Sequence, residues 1–161
     1  MAEPSHNVAV ATRCAPAMAV TAPSTIADAA EAFAAIALAA VACDGELASS
    51  EARSLRQHLE FRHPYRELGD AAMAALLDKL LLLQRQQGWQ GLVQLAAPHL
   101  QADTAETALA VAASLTQADH VESTAELTFL QTLSSALAIE PDRARVILEV
   151  IAILNRDSLA H

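Results

Sequence analysis

The chain has 161 residues, the length of one domain and enough to bury a core. Its composition is 53% hydrophobic but only 3% aromatic, with four glycines, so the core must be built from alanine, leucine, valine and isoleucine on closely approaching helices. A formal charge of −9 argues against polyanionic partners, because nucleic acid and anionic membrane surfaces are bound through clustered lysine and arginine.

Residues 1 to 23 mix proline with small residues and lack sustained periodicity, which predicts a flexible lead-in before a domain over 24 to 161. The stretch does not read as a secretory signal, since its first basic residue is Arg13 and the apolar run after it is broken by Pro16 and Pro23. Cys14 and Cys43 are too few for a disulfide framework and fit a reducing compartment. A first helix is predicted over 26–43, with Ile26, Ala30, Phe33, Ala37 and Val41 forming one core-facing stripe. Thr25 with Asp28 would start it and Gly45 would end it. Its uncharged part is too short to span a bilayer, and a cytoplasmic protein is expected, at most held to the inner membrane face through a protein partner.

A second helix is predicted over 49–62, stopped by Pro64, and a third over 70–87, ended by Gly88. A short fourth follows at 90–97. Asp103 with Glu106 reads as a capping box for a fifth helix through Gln117, and Ser123 with Glu126 as one for a sixth through Ala138. Pro141, favoured at a first helical position, starts a seventh over 141–155. Its run "RVILEVIAIL" is apolar nearly all round and should be the most buried of the set. No strand pattern survives, so the expectation is an all-α domain of about seven helices.

Two stretches of the chain resemble each other. Laying "AIALAAVACDGELASSEARSLRQHL" over "ALAVAASLTQADHVESTAELTFLQTL" with Asp44 on Asp119 also puts Glu51 on Glu126 and Leu55 on Leu130. Each copy is an apolar helix, an acidic turn and a second helix that starts beside a glutamate. A proline follows each, Pro64 and Pro141, so the helices at 70–87 and 141–155 also correspond. The chain reads as two three-helix units related by a pseudo-twofold and joined around Trp89.

An alanine-rich helix ending in Asp-Gly, with a glutamate seven residues after the aspartate and the pattern repeated, resembles the TerB family of tellurite resistance proteins. "ACDGELASSEARSL" matches the first copy of that pattern and "QADHVESTAELTFL" the second, with His120 where the glycine would stand. The resemblance covers roughly residues 25 to 155. It implies an all-helical fold, a divalent metal held by acidic residues, no catalytic activity, and a place in bacterial tellurite resistance and stress response. TerC-like membrane proteins and calcium-binding TerD-like proteins are the partners it implies.

The residues themselves support two readings of the turns. Asp-Gly is a common turn dipeptide, and a glutamate near a helix start complements the helix dipole, so both turns could be structural only. Against that, Asp44 and Asp119 each follow a helix whose C-terminal end disfavours a carboxylate, and they do so in both copies. Should the units pack about a twofold, Asp44, Glu51, Asp119 and Glu126 would converge, and clustered carboxylates need a proton or a cation between them. A hard cation, Ca²⁺, Mg²⁺ or Mn²⁺, suits such oxygen donors, with Glu46 and Glu122 as additional ligands. Cys43 and His120 keep Zn²⁺ open as a second choice. The spacing is not that of an EF-hand, because Gly45 directly follows Asp44.

His58, His63 and His99 stand on separate elements and suit surface or packing roles, and Trp89 and Tyr65 suit gaps between helices. No nucleophile elbow, phosphate loop or Glu-x-x-His diiron spacing occurs, which argues against an enzyme. The expectation is therefore a non-enzymatic metal-binding protein. The alternatives are a metal-free interaction module with an acidic docking surface and, third, a dinuclear carboxylate enzyme. The apolar last helix leaves a homodimer open.

Overall fold

Local chemistry sets where the helices begin and end. A computed structural model describes residues 25–45, 49–117 and 123–156. Among them are six α-helices: α1 (Ala29–Val41), α2 (Ser49–Glu60), α3 (Asp70–Ala96), α4 (Ala102–Thr116), α5 (Thr124–Ala136) and α6 (Pro141–Leu154). Short 3₁₀ turns occupy Tyr65–Glu67 and Ala97–His99, and no strand occurs among the described residues. The expected lead-in at 1 to 23 lies outside them.

Helix α1 starts at Asp28 rather than Thr25. The Glu31 N–H donates to Asp28 Oδ1 at 2.9 Å, which satisfies one donor that a helix start leaves unpaired, and Glu31 Oε2 accepts from the Ala27 N–H just before the cap at 2.8 Å. At α5 the expected capping box forms. The Glu126 N–H donates to Ser123 Oγ at 3.2 Å, and the Ser123 N–H donates to Glu126 Oε2 at 2.7 Å. The box expected at Asp103 and Glu106 does not form: α4 is preceded by Gln101, which makes no side-chain cap, and Glu106 reaches Arg143 instead. Pro141 occupies the first turn of α6, where its missing N–H costs nothing.

The helices expected separately at 70–87 and 90–97 form one element that breaks at Gly88, with φ 69° and ψ 178°. That conformation is essentially restricted to glycine. The bend sets Trp89 edge-on to Phe129 of α5, their ring centroids 5.3 Å apart at 77°. Counted as one element, the segments on either side of Gly88 bring the described α-helices to six, where seven were expected with the two counted apart.

Burial is distributed differently from the expectation. Helix α1 is buried at every position from Ala32 to Val41 instead of along one stripe. It packs most extensively on α3 and α4 and also meets α2, and its alanines let those backbones come close. Helix α6, expected to be the most buried, has only Ala144 fully buried, while Val146, Val150, Ile153 and Leu154 are exposed. It packs chiefly against α4, so one face meets the core and the other meets solvent.

Two ion pairs fix helices to their neighbours across the fold. Lys79 of α3 donates to Glu31 Oε2 at 2.6 Å with both side chains largely buried. Arg143 of α6 grips Glu106 of α4 with two parallel bonds, Nε to Oε1 at 2.9 Å and Nη2 to Oε2 at 2.7 Å. Both glutamates lie in sequence windows without any lysine or arginine, and the fold brings the bases from elsewhere. Arg56 of α2 likewise bonds Asp70 at the start of α3.

Candidate functional site

Helices α1 and α4 are the natural frame for a site, because each precedes one of the acidic stretches. They pack on each other, and residues near both N-terminal ends, Ala29 and Phe33 of α1 with Asp103 and Thr107 of α4, line a single cavity. The two helices therefore run side by side in the same sense, and their last residues, Val41 and Thr116, face the other end of the pair. Helix α6 runs the same way beside α4. Arg143 meets Glu106 near the start of both, and the Asn155 amide donates to Gln117 Oε1 at 3.5 Å where both end.

At the C-terminal end of α1 the chain passes Ala42 and turns, the Gly45 N–H donating to the Ala42 carbonyl at 3.2 Å with Gly45 at φ 104°. The helix is thus capped by Ala42, and Gly45 closes the turn after it. Asp44 is exposed and stands three residues beyond Val41. That exposure weakens the electrostatic conflict expected of a carboxylate at this helix end. Cys43 beside it is half-buried.

The other expected ligands divide between placed and unplaced. Glu126 is half-buried in the first turn of α5, with Oε2 engaged by the Ser123 N–H. Glu51 belongs to α2, but its side chain lies outside the described residues, as do Glu46, Asp119, His120 and Glu122. Among the described residues no three of histidine, cysteine, aspartate and glutamate gather into a metal-sized group.

The opposite end of the helix pair carries a feature with no counterpart in the sequence reading. A cavity of about 650 Å³ opens between the starts of α1 and α4 and the segment Arg62–Tyr65. Phe33 and Tyr65 line it from buried positions, their ring centroids 6.3 Å apart, and the Arg62 guanidinium lies 5.8 Å from the Phe33 ring centroid. Tyr65 is anchored by its hydroxyl, which donates to the Ala30 carbonyl at 2.5 Å, and burial holds its pKa well above the ordinary tyrosine range. His63 bonds Glu67 Oε1 at 3.0 Å through Nδ1. The stretch "FRHPY", in which aromatic and basic residues crowd together, was the available sequence signal, but its partners on α1 and α4 lie far away in the chain.

The remaining single residues take packing roles. Trp89 and Tyr65 fill spaces between helices as expected, and His58 is half-buried on α2, where burial, then the nearby Arg62 charge, lowers its pKa. No helix among the described residues is long and apolar enough to cross a membrane. Comparison of the chain with protein-family models, with curated proteins and with solved structures finds no match.

Proposed function

We propose that this chain is a non-enzymatic, divalent-cation-binding helical protein of the TerB-like, tellurite-resistance and stress-response type. The carrying observation is the side-by-side, same-sense arrangement of α1 and α4, which supports two acidic stretches leaving one end of a helix pair. The offset of 75 residues drawn from Asp44 and Asp119 also carries Val41 onto Thr116 and Ser49 onto Thr124, the ends of α1 and α4 and the starts of α2 and α5. It carries Glu31 onto Glu106, and each of these glutamates pairs with a base on the third helix of its own unit. These correspondences support the two-unit repeat.

In this reading Asp44 and Asp119 are the principal ligands, with Glu51 and Glu126 beside them. Glu126 would bind through Oε1, because the cap engages Oε2. Carboxylate oxygens favour Ca²⁺, Mg²⁺ or Mn²⁺ over Zn²⁺, and any site with this donor set is built between turns. Partners of the TerC and TerD kinds belong to the same proposal.

The test is a thermal melt in chelator and in millimolar Ca²⁺, Mg²⁺, Mn²⁺ or Zn²⁺. A cation at a hundredfold excess over its dissociation constant should stabilise the fold by about 2.7 kcal/mol. The Asp44→Asn/Asp119→Asn double variant should abolish the shift. A melt indifferent to every cation would sink the proposal. The exposure of Asp44 favours a second reading, a metal-free module docking a basic partner through its acidic surface. That reading expects no metal shift, and binding that weakens with salt.

A further inference from the structure

We propose that the cavity between the N-terminal ends of α1 and α4 binds a small apolar monocarboxylate, a molecule with a hydrocarbon or aromatic body and one carboxylate. Its volume of about 650 Å³ is that of a ligand pocket, within the range of roughly 300–1,000 Å³ in which small molecules bury most of their surface. Its wall is mainly apolar, from Ala29, Ala30 and Pro64 with the buried Phe33 and Tyr65 rings behind them, and the tyrosine hydroxyl is already committed to the Ala30 carbonyl. The body of a ligand would therefore meet mainly hydrocarbon surface.

Arg62 supplies the polar end. Its guanidinium sits over the Phe33 ring and forms no ion pair among the described residues, whereas Arg56, Lys79 and Arg143 each hold a carboxylate. Arg62 is half-buried in the cavity wall, and the planar donors of a guanidinium form the fork that matches a carboxylate. The hydroxyl of Thr104, which also lines the cavity, offers a further donor.

Asp103 limits the charge. Its carboxylate belongs to the same wall, so a second negative group on the ligand would meet repulsion, and a dianion or phosphate is disfavoured relative to a single carboxylate. This site lies at the far end of the helix pair from Asp44 and does not depend on metal.

Titration of the full chain with benzoate, benzamide, phthalate and inorganic phosphate, followed by calorimetry and ligand-observed NMR, tests it. Benzoate should bind saturably in the millimolar range or tighter, and benzamide, of the same shape without the charge, about tenfold or more weaker. Arg62→Gln should weaken benzoate by about tenfold or more with little change in the melt, Arg62→Lys should keep part of the affinity, and Asp103→Asn should admit phthalate. Equal binding of benzamide, benzoate affinity unmoved by Arg62→Gln, or no saturable benzoate binding at millimolar concentration would overturn the proposal. Should Arg62→Gln not fold, the benzoate-to-benzamide ratio on the unaltered chain reads the same interaction.

Discussion

Helices α1 and α6 are of similar length and both apolar, yet the fold treats them in opposite ways. Helix α1, mostly alanine, has ten consecutive buried residues, whereas α6, with valines, isoleucines and leucines, buries one fully and leaves Leu154 71% exposed. The difference lies in their neighbours. Small side chains let α2, α3 and α4 approach α1 from several sides, so it becomes the axis of the domain. Helix α6 has one principal neighbour, α4, and a single contact face can bury only about half of a helix surface. A helix's own hydropathy sets how much it gains from burial, while the number of helices that reach it sets how much burial it receives.

The sharpest way to break this contrast is the same truncation in both helices. Ile36→Ala, in the centre of α1 and fully buried, should cost about 2–5 kcal/mol in a denaturant titration through the lost transfer energy and the cavity left behind. Ile153→Ala, at a half-exposed position of α6, should stay below about 1 kcal/mol. Comparable losses at the two sites would mean that a second surface covers α6 in solution.

A smaller effect probes the element that flanks α1. Gly88→Ala forces a side chain into a conformation essentially reserved for glycine and should cost about 1–3 kcal/mol. Because the bend sets Trp89 against Phe129, the variant should also shift tryptophan fluorescence. An unchanged spectrum with unchanged stability would show that the break does not position Trp89.

The smallest effects are in acid and concern how α6 and α2 are held. The hydrogen bonds from Arg143 hold the Glu106 carboxyl below its ordinary pKa, so this pair stabilises the fold above the unfolded carboxylate range. That contribution is lost as pH falls through the depressed value, and Arg143→Gln should flatten the loss. Burial lowers the His58 pKa, so its neutral form belongs to the folded state, and stability declines as pH falls from the ordinary histidine range through the lowered value. His58→Gln should remove that earlier step while leaving the Glu106 step in place.

The candidate sites divide along the same line. Asp44 and Glu126 could be named from a repeated pattern, because a turn and a capping glutamate are written within a few residues. The cavity of Phe33, Arg62 and Tyr65 could not, because it exists only where the starts of α1 and α4 meet the segment after α2. The rejected capping box at Asp103 and Glu106 fails for a related reason. A local pattern offered Glu106 to its own helix start, and Arg143, distant in sequence, offered two bonds to a full positive charge.

Local patterns along the chain were enough for the all-helical class, the Ser123–Glu126 cap, the Pro141 start, the break at Gly88 and the turn at Gly45. Each depends on backbone dihedrals or hydrogen bonds that close within about five residues, so nearest neighbours in the chain suffice to fix them. Packing of the assembled helices makes α1 central and α6 peripheral, brings Glu31 to Lys79 and Glu106 to Arg143, and lays Arg62 over Phe33. Burial and charge pairing depend on which surfaces arrive from far along the chain, and two apolar helices of similar length carry no local mark of which one the others will surround.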